Sequence, residues 1–235
     1  KKIEILNQEL NVVNSNMGMF TYSVSHDLKE PLRMVKSFLS LFDRNYRESL
    51  DQKGKTYIDF ALDGAGRLSN MLEGLLNYHR SSNFDITESV DLNEVLLEVK
   101  RILQYKIEEK DAQINSDKLP IIKGSFAGYQ QIFQNLISNA IKFVPEEITP
   151  MVSIDVEEQD TNYTFQVKDN GIGIRENNKQ DVFNLFKRLN ASQQYEGTGM
   201  GLAMVKKSIE MTGGKIWLES EIGKGTTFYF NIPKS

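Results

Sequence analysis

Residues 25–33 read Ser-His-Asp-Leu-Lys-Glu-Pro-Leu-Arg, and they lie inside a long stretch of helical periodicity. The apolar residues before this stretch follow one another in steps of three and four, at Ile3, Leu6, Leu10, Val13, Met17, Phe20 and Val24. This spacing is typical of a helix whose seam packs against a partner helix. The seam resumes after the histidine at Leu28, Leu32, Val35, Leu39 and Phe42. The first unit of the chain is therefore predicted to be built on one long helix.

His26 is two residues beyond the seam position Val24, so its imidazole is predicted to face solvent. The carboxylate of Asp27 is adjacent to it in sequence. An exposed imidazole beside a carboxylate is a candidate nucleophile, because a carboxylate can fix the tautomer of the ring. From this segment alone, a surface histidine without a chemical role is almost as good an interpretation.

A second helix follows the first after a polar turn between Tyr46 and Lys55, and the two are predicted to form an antiparallel hairpin. Its apolar stripe consists of Ile58, Ala61, Leu62, Ala65, Leu68, Met71, Leu72, Leu75 and Leu76. Two helices bury too little surface to be stable alone, so the hairpin is expected to form a homodimeric four-helix bundle. The second histidine, His79, is interpreted as structural or solvent-exposed.

The composition excludes several classes of function. The chain has 235 residues, a net charge of −4, no cysteine and two histidines. The charge gives no support for nucleic-acid binding, and disulfides and cysteine-ligated zinc are excluded. The helical seam is already present at Lys1, so we expect a fragment whose N-terminal sensor region is missing. The fragment is expected to be cytoplasmic, with membrane attachment of the full-length protein left open.

Two domains are predicted, an entry coiled coil with the helical hairpin over 1–83 and an α/β sandwich over 91–235, joined by a linker over 84–90. Helical patterns cover 92–109, 126–143 and 202–212, and strand patterns cover 113–115, 121–123, 151–157, 163–168, 215–220 and 226–232. Helices and a mostly antiparallel sheet in one domain predict an α+β multidomain protein.

One face of the helix over 126–143 carries Asn135, Asn139 and Lys142, at positions i, i+4 and i+7. Two amide oxygens one turn apart can ligate Mg²⁺, which prefers hard oxygen donors, and the lysine can reach phosphate oxygens. Without further signals, the polar face of an ordinary amphipathic helix would explain the same pattern.

Two glycine-containing segments follow. Asp169-Asn-Gly-Ile-Gly-Ile ends a predicted strand, where the Asp169 carboxylate can accept a bond from an exocyclic amine and Gly171 and Gly173 allow a tight turn. Gly197-Thr-Gly-Met-Gly-Leu precedes a helix, so Gly197, Gly199 and Gly201 can expose backbone N–H groups to phosphate. Taken alone, the segment that begins at Asp169 also fits a common turn, and the segment that begins at Gly197 also fits a flexible hinge.

In order and spacing, these segments resemble the motifs of the sensor histidine kinase family over nearly the whole chain. Residues 25–33 are similar to its phosphoacceptor box, 131–143 to the N box, 169–174 to the G1 box, 183–188 to the F box and 197–202 to the G2 box.

The resemblance implies a dimerisation and phosphotransfer hairpin followed by an ATP-binding domain of the Bergerat type. It implies autophosphorylation of His26, with Asp27 as its partner, and transfer to the receiver domain of a response regulator. It also implies adenine binding by Asp169, Mg²⁺ binding by Asn139 with Asn135, and phosphate contacts from Lys142 and Arg188. Gly197, Gly199 and Gly201 would frame the lid and the triphosphate.

Two other functions share this nucleotide pocket. An ATPase of the gyrase or chaperone type is disfavoured by the histidine hairpin and by Asn135, because related ATP-hydrolysing proteins of this fold have a water-activating glutamate at the matching position. A degenerate kinase that serves as a scaffold is disfavoured because His26, Asn139 and Asp169 are all present.

Overall fold

The computed structural model describes residues 2–80, 88–187 and 197–234, without the side chains of residues 2–22, 26, 77, 79 and 80. The chain divides into two compact units, Lys1–Arg80 and Ser81–Ser235. The predicted solvent exposure of the His26 imidazole and the predicted role of His79 concern side chains outside this description.

The first unit is a helical hairpin, as predicted. Helix α1 spans Lys2–Tyr46 and continues through Pro31, and helix α2 spans Gln52–Arg80. A short 3₁₀ turn at Arg47–Ser49 joins them. The Arg47 guanidinium donates to Asp43 at 2.7 Å and to Asp59 at 2.8 Å, so one side chain links the end of α1 to α2. A bidentate guanidinium suits such a double contact.

One apolar stripe on α1 is exposed among the described residues. On α1, Leu32 and Leu39 are half-buried, whereas Leu28, Val35 and Phe42 are 49%, 50% and 44% exposed. The exposed three repeat every seven residues, which places them on one helix face. The seam predicted from sequence is therefore divided between residues that pack within the hairpin and residues left at its surface.

The second unit contains a five-stranded main sheet, a two-stranded sheet of β1 and β3, and helices packed against them. The strands are β1 (Glu88–Asp91), β2 (Gln113–Ser116), β3 (Ile121–Gly124), β4 (Met151–Glu158), β5 (Asn162–Asp169), β6 (Lys215–Glu221) and β7 (Gly225–Pro233). The helices are α3 (Leu92–Ile102), α4 (Gln104–Glu109), α5 (Phe126–Lys142) and α6 (Gly201–Met211). The main sheet has the order β2-β4-β5-β7-β6, with β2 and β4 parallel and the other pairs antiparallel.

An aromatic cluster joins α5 to the centre of the sheet. Phe165 on β5 stacks on Phe230 of β7 at 4.8 Å between ring centroids. Phe133 of α5 meets both rings edge-on, at 6.3 and 6.1 Å. All three are fully buried, and each contributes on the order of 1.5–3 kcal/mol through burial. The polar face of α5 is thereby directed away from the sheet.

The structure corrects two details of the sequence interpretation. Residues 88–90, assigned to the linker over 84–90, belong to β1, which pairs antiparallel with β3 and buries Val90 against the core. The helix predicted over 92–109 is interrupted at Leu103, which is buried and has non-helical dihedral angles. Strand pairing accounts for the first difference and tertiary burial for the second. Neither can be predicted from the local periodicity of the sequence.

No helix in the described part of the chain has the length and apolar character that a membrane crossing requires.

Candidate functional site

A cavity of about 590 Å³ lies within the second unit. Its walls come from α4, α5, the loop after β5, the segment around 174–187, the start of α6 and the hairpin between β6 and β7. This volume is within the range of small-molecule sites. The cavity collects most of the residues that the sequence analysis selected in the second unit, namely Asn135, Asn139, Lys142, Asp169, Gly173, Gly197, Gly199 and Gly201.

Helix α5 places its amide side chains on the cavity side, because Leu136, Ile137, Ala140 and Ile141 are buried on the other. The Asn135 amide nitrogen donates to the backbone carbonyl of Gln131 at 2.8 Å, which leaves its carbonyl oxygen Oδ1 directed elsewhere. A Cβ atom built on Gly201 would lie 2.6 Å from that Oδ1. The oxygen of Asn135 is therefore held at the first turn of α6.

Lys142 reaches the glycine-rich segment from the last turn of α5. Its Nζ lies 4.5 Å from the centroid of the Phe143 ring, and a Cβ atom on Gly197 would lie 2.9 Å from that nitrogen. An ammonium group over an aromatic face gains a favourable cation–π interaction. The lysine head group and the start of the glycine-rich segment are thus neighbours.

Asp169 ends β5 and is fixed by two backbone N–H groups. Its Oδ1 accepts from Gly171 at 2.8 Å and from Thr226 at 3.0 Å. Burial raises the pKa of this carboxyl above its ordinary value, and the two backbone hydrogen bonds oppose that rise. Within the described part of the chain, both hydrogen bonds fall on Oδ1, so Oδ2 of this lining residue keeps its capacity to accept.

The loop after Asp169 fits closely between two other segments. The Ile172 N–H donates to the carbonyl of Phe143 at 2.9 Å, and the Gly223 N–H donates to the carbonyl of Ile172 at 2.9 Å. Gly173 has φ of +73°, and a Cβ atom there would lie 2.1 Å from the backbone oxygen of Glu221. A side chain at position 173 is therefore excluded by both backbone conformation and space.

We expect Gly173→Ala to lower the free energy of unfolding of the second unit by about 2–4 kcal/mol, through backbone strain and overlap with a backbone oxygen. Ligand binding in the cavity should weaken with it, because the displaced loop forms part of the cavity wall. Gly223→Ala is the matched control, since Gly223 has φ of +78° but nothing within 4 Å of its Cβ position. It should cost only about 1–2 kcal/mol from backbone strain. Equal destabilisation of both variants in denaturant titrations would contradict the steric argument.

Within the described part of the chain, the residue at the amino end of α6 makes no side-chain cap. Helices α3 and α5 are capped by Asp91 and Ser125, which accept from backbone N–H groups of the first turn. At α6 the capping position is Met200, whose side chain makes no such hydrogen bond. Uncapped N–H groups and the positive end of the helix dipole favour a bound anion. The site therefore has a phosphate-sized donor set beside Asn135 and Lys142.

The segment between the two glycine motifs is described as far as Lys187. Phe183 packs edge-on against Phe228 of β7 at 6.4 Å, and Lys187 pairs with Asp181 at 3.0 Å. Phe186 has φ of +62°, an uncommon conformation for a bulky side chain that costs free energy. Arg188, the predicted phosphate contact, lies outside the described residues.

Several residues of the site were missed by the sequence analysis. Thr226 supplies a backbone donor to Asp169 from 57 residues away, and Lys106, Ser138 and Arg175 also line the cavity. Gly171 is not part of the lining, although its N–H holds Asp169. Strand β7 meets the end of β5 only in the folded sheet, so Thr226 had no local signal.

The oxygen donors of the cavity fit a magnesium ion that a ligand also coordinates. They fit a metal site formed by protein groups alone less well. Among the described residues, no group of three or more His, Cys, Asp or Glu side chains could hold a metal. The oxygen donors here are amides, with Asn135 Oδ1 held in place by the bond from its own nitrogen. Mg²⁺ is commonly bound by few protein groups together with substrate phosphates and waters.

Two family profiles match the chain. The domain described as "His Kinase A (phospho-acceptor) domain" matches residues 16–83, and "Histidine kinase-, DNA gyrase B-, and HSP90-like ATPase" matches residues 124–235. Among curated proteins, the chain is 38% identical over 221 residues to the phytochrome-like protein Cph1 of Synechocystis sp., covering 94% of this chain and 29% of that protein. The chain spans about a third of the length of the first curated relatives it matches.

Two solved structures share the fold. Full-length ShkA in complex with AMPPNP matches with a TM-score of 0.65 and 24% identity, over 92% of this chain and 45% of that one. The histidine kinase ThkA in complex with the response regulator protein TrrA matches with a TM-score of 0.63 and 24% identity, over 94% of this chain and 63% of that one.

Proposed function

The chain belongs to the sensor histidine kinase family, and from this we propose that it autophosphorylates His26 with ATP and passes the phosphoryl group to an aspartate of a response-regulator receiver domain. The observation that carries the proposal is the cavity of the second unit. There, an acceptor carboxylate, two amides, a lysine and an uncapped helix end converge within one chain that also contains a phosphoacceptor-type hairpin.

Adenine recognition is assigned to Asp169. Its Oδ1 is occupied by the N–H groups of Gly171 and Thr226, so Oδ2 would accept from the exocyclic amine of adenine. Guanine presents an oxygen at the corresponding position and would oppose a carboxylate. The selectivity of the site would then follow from one acceptor atom that the fold holds fixed.

Phosphate binding is assigned to Lys142 and to the first turn of α6. The N–H groups of this turn, which the Met200 side chain does not cap, would take phosphate oxygens, and the lysine would add a positive charge beside them. Such fixed donors act mainly by positioning the transferred group and stabilising its charge. Asn135 and Asn139 would hold Mg²⁺, which neutralises phosphate charge when bound.

The acceptor is assigned to His26, whose backbone lies in α1. Its neutral imidazole would attack the γ-phosphorus through Nε2, and ADP would leave. Asp27, which is exposed, would accept the Nδ1–H and stabilise the imidazolium that forms. Asn135 cannot activate water as a glutamate could, so hydrolysis should be slow relative to phosphorylation.

A response-regulator partner is supported by the likeness to ThkA, whose solved structure is a complex with a response regulator protein. A sensor region in the rest of the protein is supported by the share of the relatives that the chain covers, 29% for Cph1. Since ATP is drawn from the cytoplasm, we infer that this part of the protein works there.

The proposal is tested by incubating the chain with Mg²⁺ and γ-labelled ATP. We expect label that stays on the protein, survives base and is lost in acid, as a phosphoramidate should. Free labelled phosphate without protein label would indicate an ATPase. Neither product, with ATP bound, would indicate a scaffold without kinase activity.

We further propose that the exposed stripe of Leu28, Val35 and Phe42 packs against a second copy of the hairpin. Replacing Val35 and Phe42 together with glutamate should produce monomers, because burying unpaired charge costs several kcal/mol. Sedimentation would measure the change. Lys36→Glu, a charge reversal at an exposed neighbouring position, should leave the dimer intact. A dimer that persists in the double variant would exclude this stripe as the interface.

A further inference from the structure

Lys106 lies on α4, outside every motif of the sequence analysis, and yet it lines the cavity. Its Nζ donates to the hydroxyl of Ser138 at 3.4 Å. Ser138 is on the cavity face of α5, between Asn135 and Asn139 in sequence. The ammonium group therefore lies beside the row of amides to which phosphate and Mg²⁺ binding are assigned.

The cavity is basic although the chain is acidic. The whole chain has a net charge of −4, whereas the described lining residues include Lys106, Lys142, Arg175 and Lys187, with Asp169 as their acidic member. Asp181, outside the lining, pairs with Lys187 at 3.0 Å. A concave site with an excess of one sign of charge concentrates ligands of the opposite sign. The cavity therefore favours an anionic ligand.

Lys106 can exchange its contact with the Ser138 hydroxyl for a contact with such an anion. Within the described part of the chain, its recorded partner is a neutral hydroxyl, and no carboxylate pairs with it. A bond of 3.4 Å is near the long limit for a hydrogen bond and contributes little. Little would be lost if the ammonium moved to a phosphate oxygen, where the bond is charge-assisted.

We propose that Lys106 is a further phosphate-binding residue, which leaves its weak contact with Ser138 and contacts the β- or γ-phosphate of ATP. The proposal rests on the assignment of ATP to this cavity and adds a cation from α4 to those of the known motifs. A lysine acts on phosphate as a mobile point charge, so its flexible stem suits a contact that forms only when the nucleotide is bound.

Calorimetric titration of the whole chain with Mg²⁺-ATP and with adenosine tests the inference. Lys106→Ala should weaken ATP binding about tenfold, or ~1.4 kcal/mol, and leave adenosine binding unchanged. Lys106→Arg should retain most of the affinity for ATP. Ser138→Ala should change the affinity for ATP by less than about twofold, since the charge remains and the weak contact with the hydroxyl is given up when phosphate binds.

Lys110→Ala is the matched control, because it removes the same charge four residues further on, outside the cavity lining. Its affinity for ATP should equal that of the wild type. Unchanged ATP affinity in Lys106→Ala would overturn the inference and leave the proposed function intact. If Lys106→Ala weakened the binding of ATP and adenosine equally, the effect would be structural and the inference would be wrong. A wild-type chain that binds no ATP would refute the proposed function, and the inference with it.

Discussion

A His26→Gln variant should bind ATP as the wild type does and acquire no stable phosphoryl label. Glutamine keeps a polar side chain of similar reach in α1, but its amide has no ring nitrogen that can attack phosphorus. The nucleotide cavity is built from the second unit, so its affinity for ATP should not change. The stable phosphoryl label should be lost completely, because the reaction has no nucleophile without the His26 imidazole.

The chain supplies its own control for this experiment. It contains two histidines, and His79→Gln should retain the label. Acid-labile label that persists in His26→Gln would refute the assignment directly, and loss of label in His79→Gln alone would transfer the acceptor role to that residue. ATP titrations on both variants separate a missing nucleophile from a damaged nucleotide site.

Asp169→Asn should lower the affinity for ATP by about 100-fold, or ~2.7 kcal/mol, without unfolding the second unit. The amide oxygen of asparagine can still accept from Gly171 and Thr226, which keeps the local fold. The other terminal atom changes from an acceptor to an N–H donor, and it would face the amine of adenine. The asparagine N–H and the adenine amine would then be two hydrogen-bond donors facing each other in a buried site. The ratio of the affinities for ATP and GTP should therefore decrease.

The pH dependence of ATP binding gives a second measurement on the same residue. Burial raises the pKa of the Asp169 carboxyl, while the backbone hydrogen bonds from Gly171 and Thr226 lower it. The carboxylate form accepts from adenine, so affinity should be full above this pKa and decrease as the pH falls through it. The decrease should begin at a higher pH than for an exposed aspartate and be absent in Asp169→Asn. Unchanged ATP affinity in that variant would contradict the adenine assignment.

Local sequence was sufficient for the elements whose side chains repeat with one period. The helical hairpin and the strands of the main sheet follow the predicted patterns to within one or two residues at most ends. The face of α5 that carries Asn135, Asn139 and Lys142 was predicted because its opposite face is apolar. A helix fixes such a relation by its 3.6-residue turn, whatever the rest of the chain does.

Glycine motifs were equally readable in sequence, because Gly173 and Gly199 have positive φ angles that few other residues adopt. The state of the helix end that follows the second motif could not be predicted from sequence. The absence of a side-chain cap at α6, in contrast to α3 and α5, emerges only when the capping positions are seen in three dimensions.

The sequence by itself determined that this chain combines a long helical hairpin with a mixed domain, and which residue types stand ready for nucleotide chemistry. The tertiary structure alone decided that Thr226 completes the Asp169 site, that Lys106 enters the cavity, and that 88–90 form a strand. It also decided which seam residues of α1 remain exposed. The physical reason is distance along the chain: periodicity reports a residue's own helix or strand, whereas these contacts join segments that only the packed core brings together.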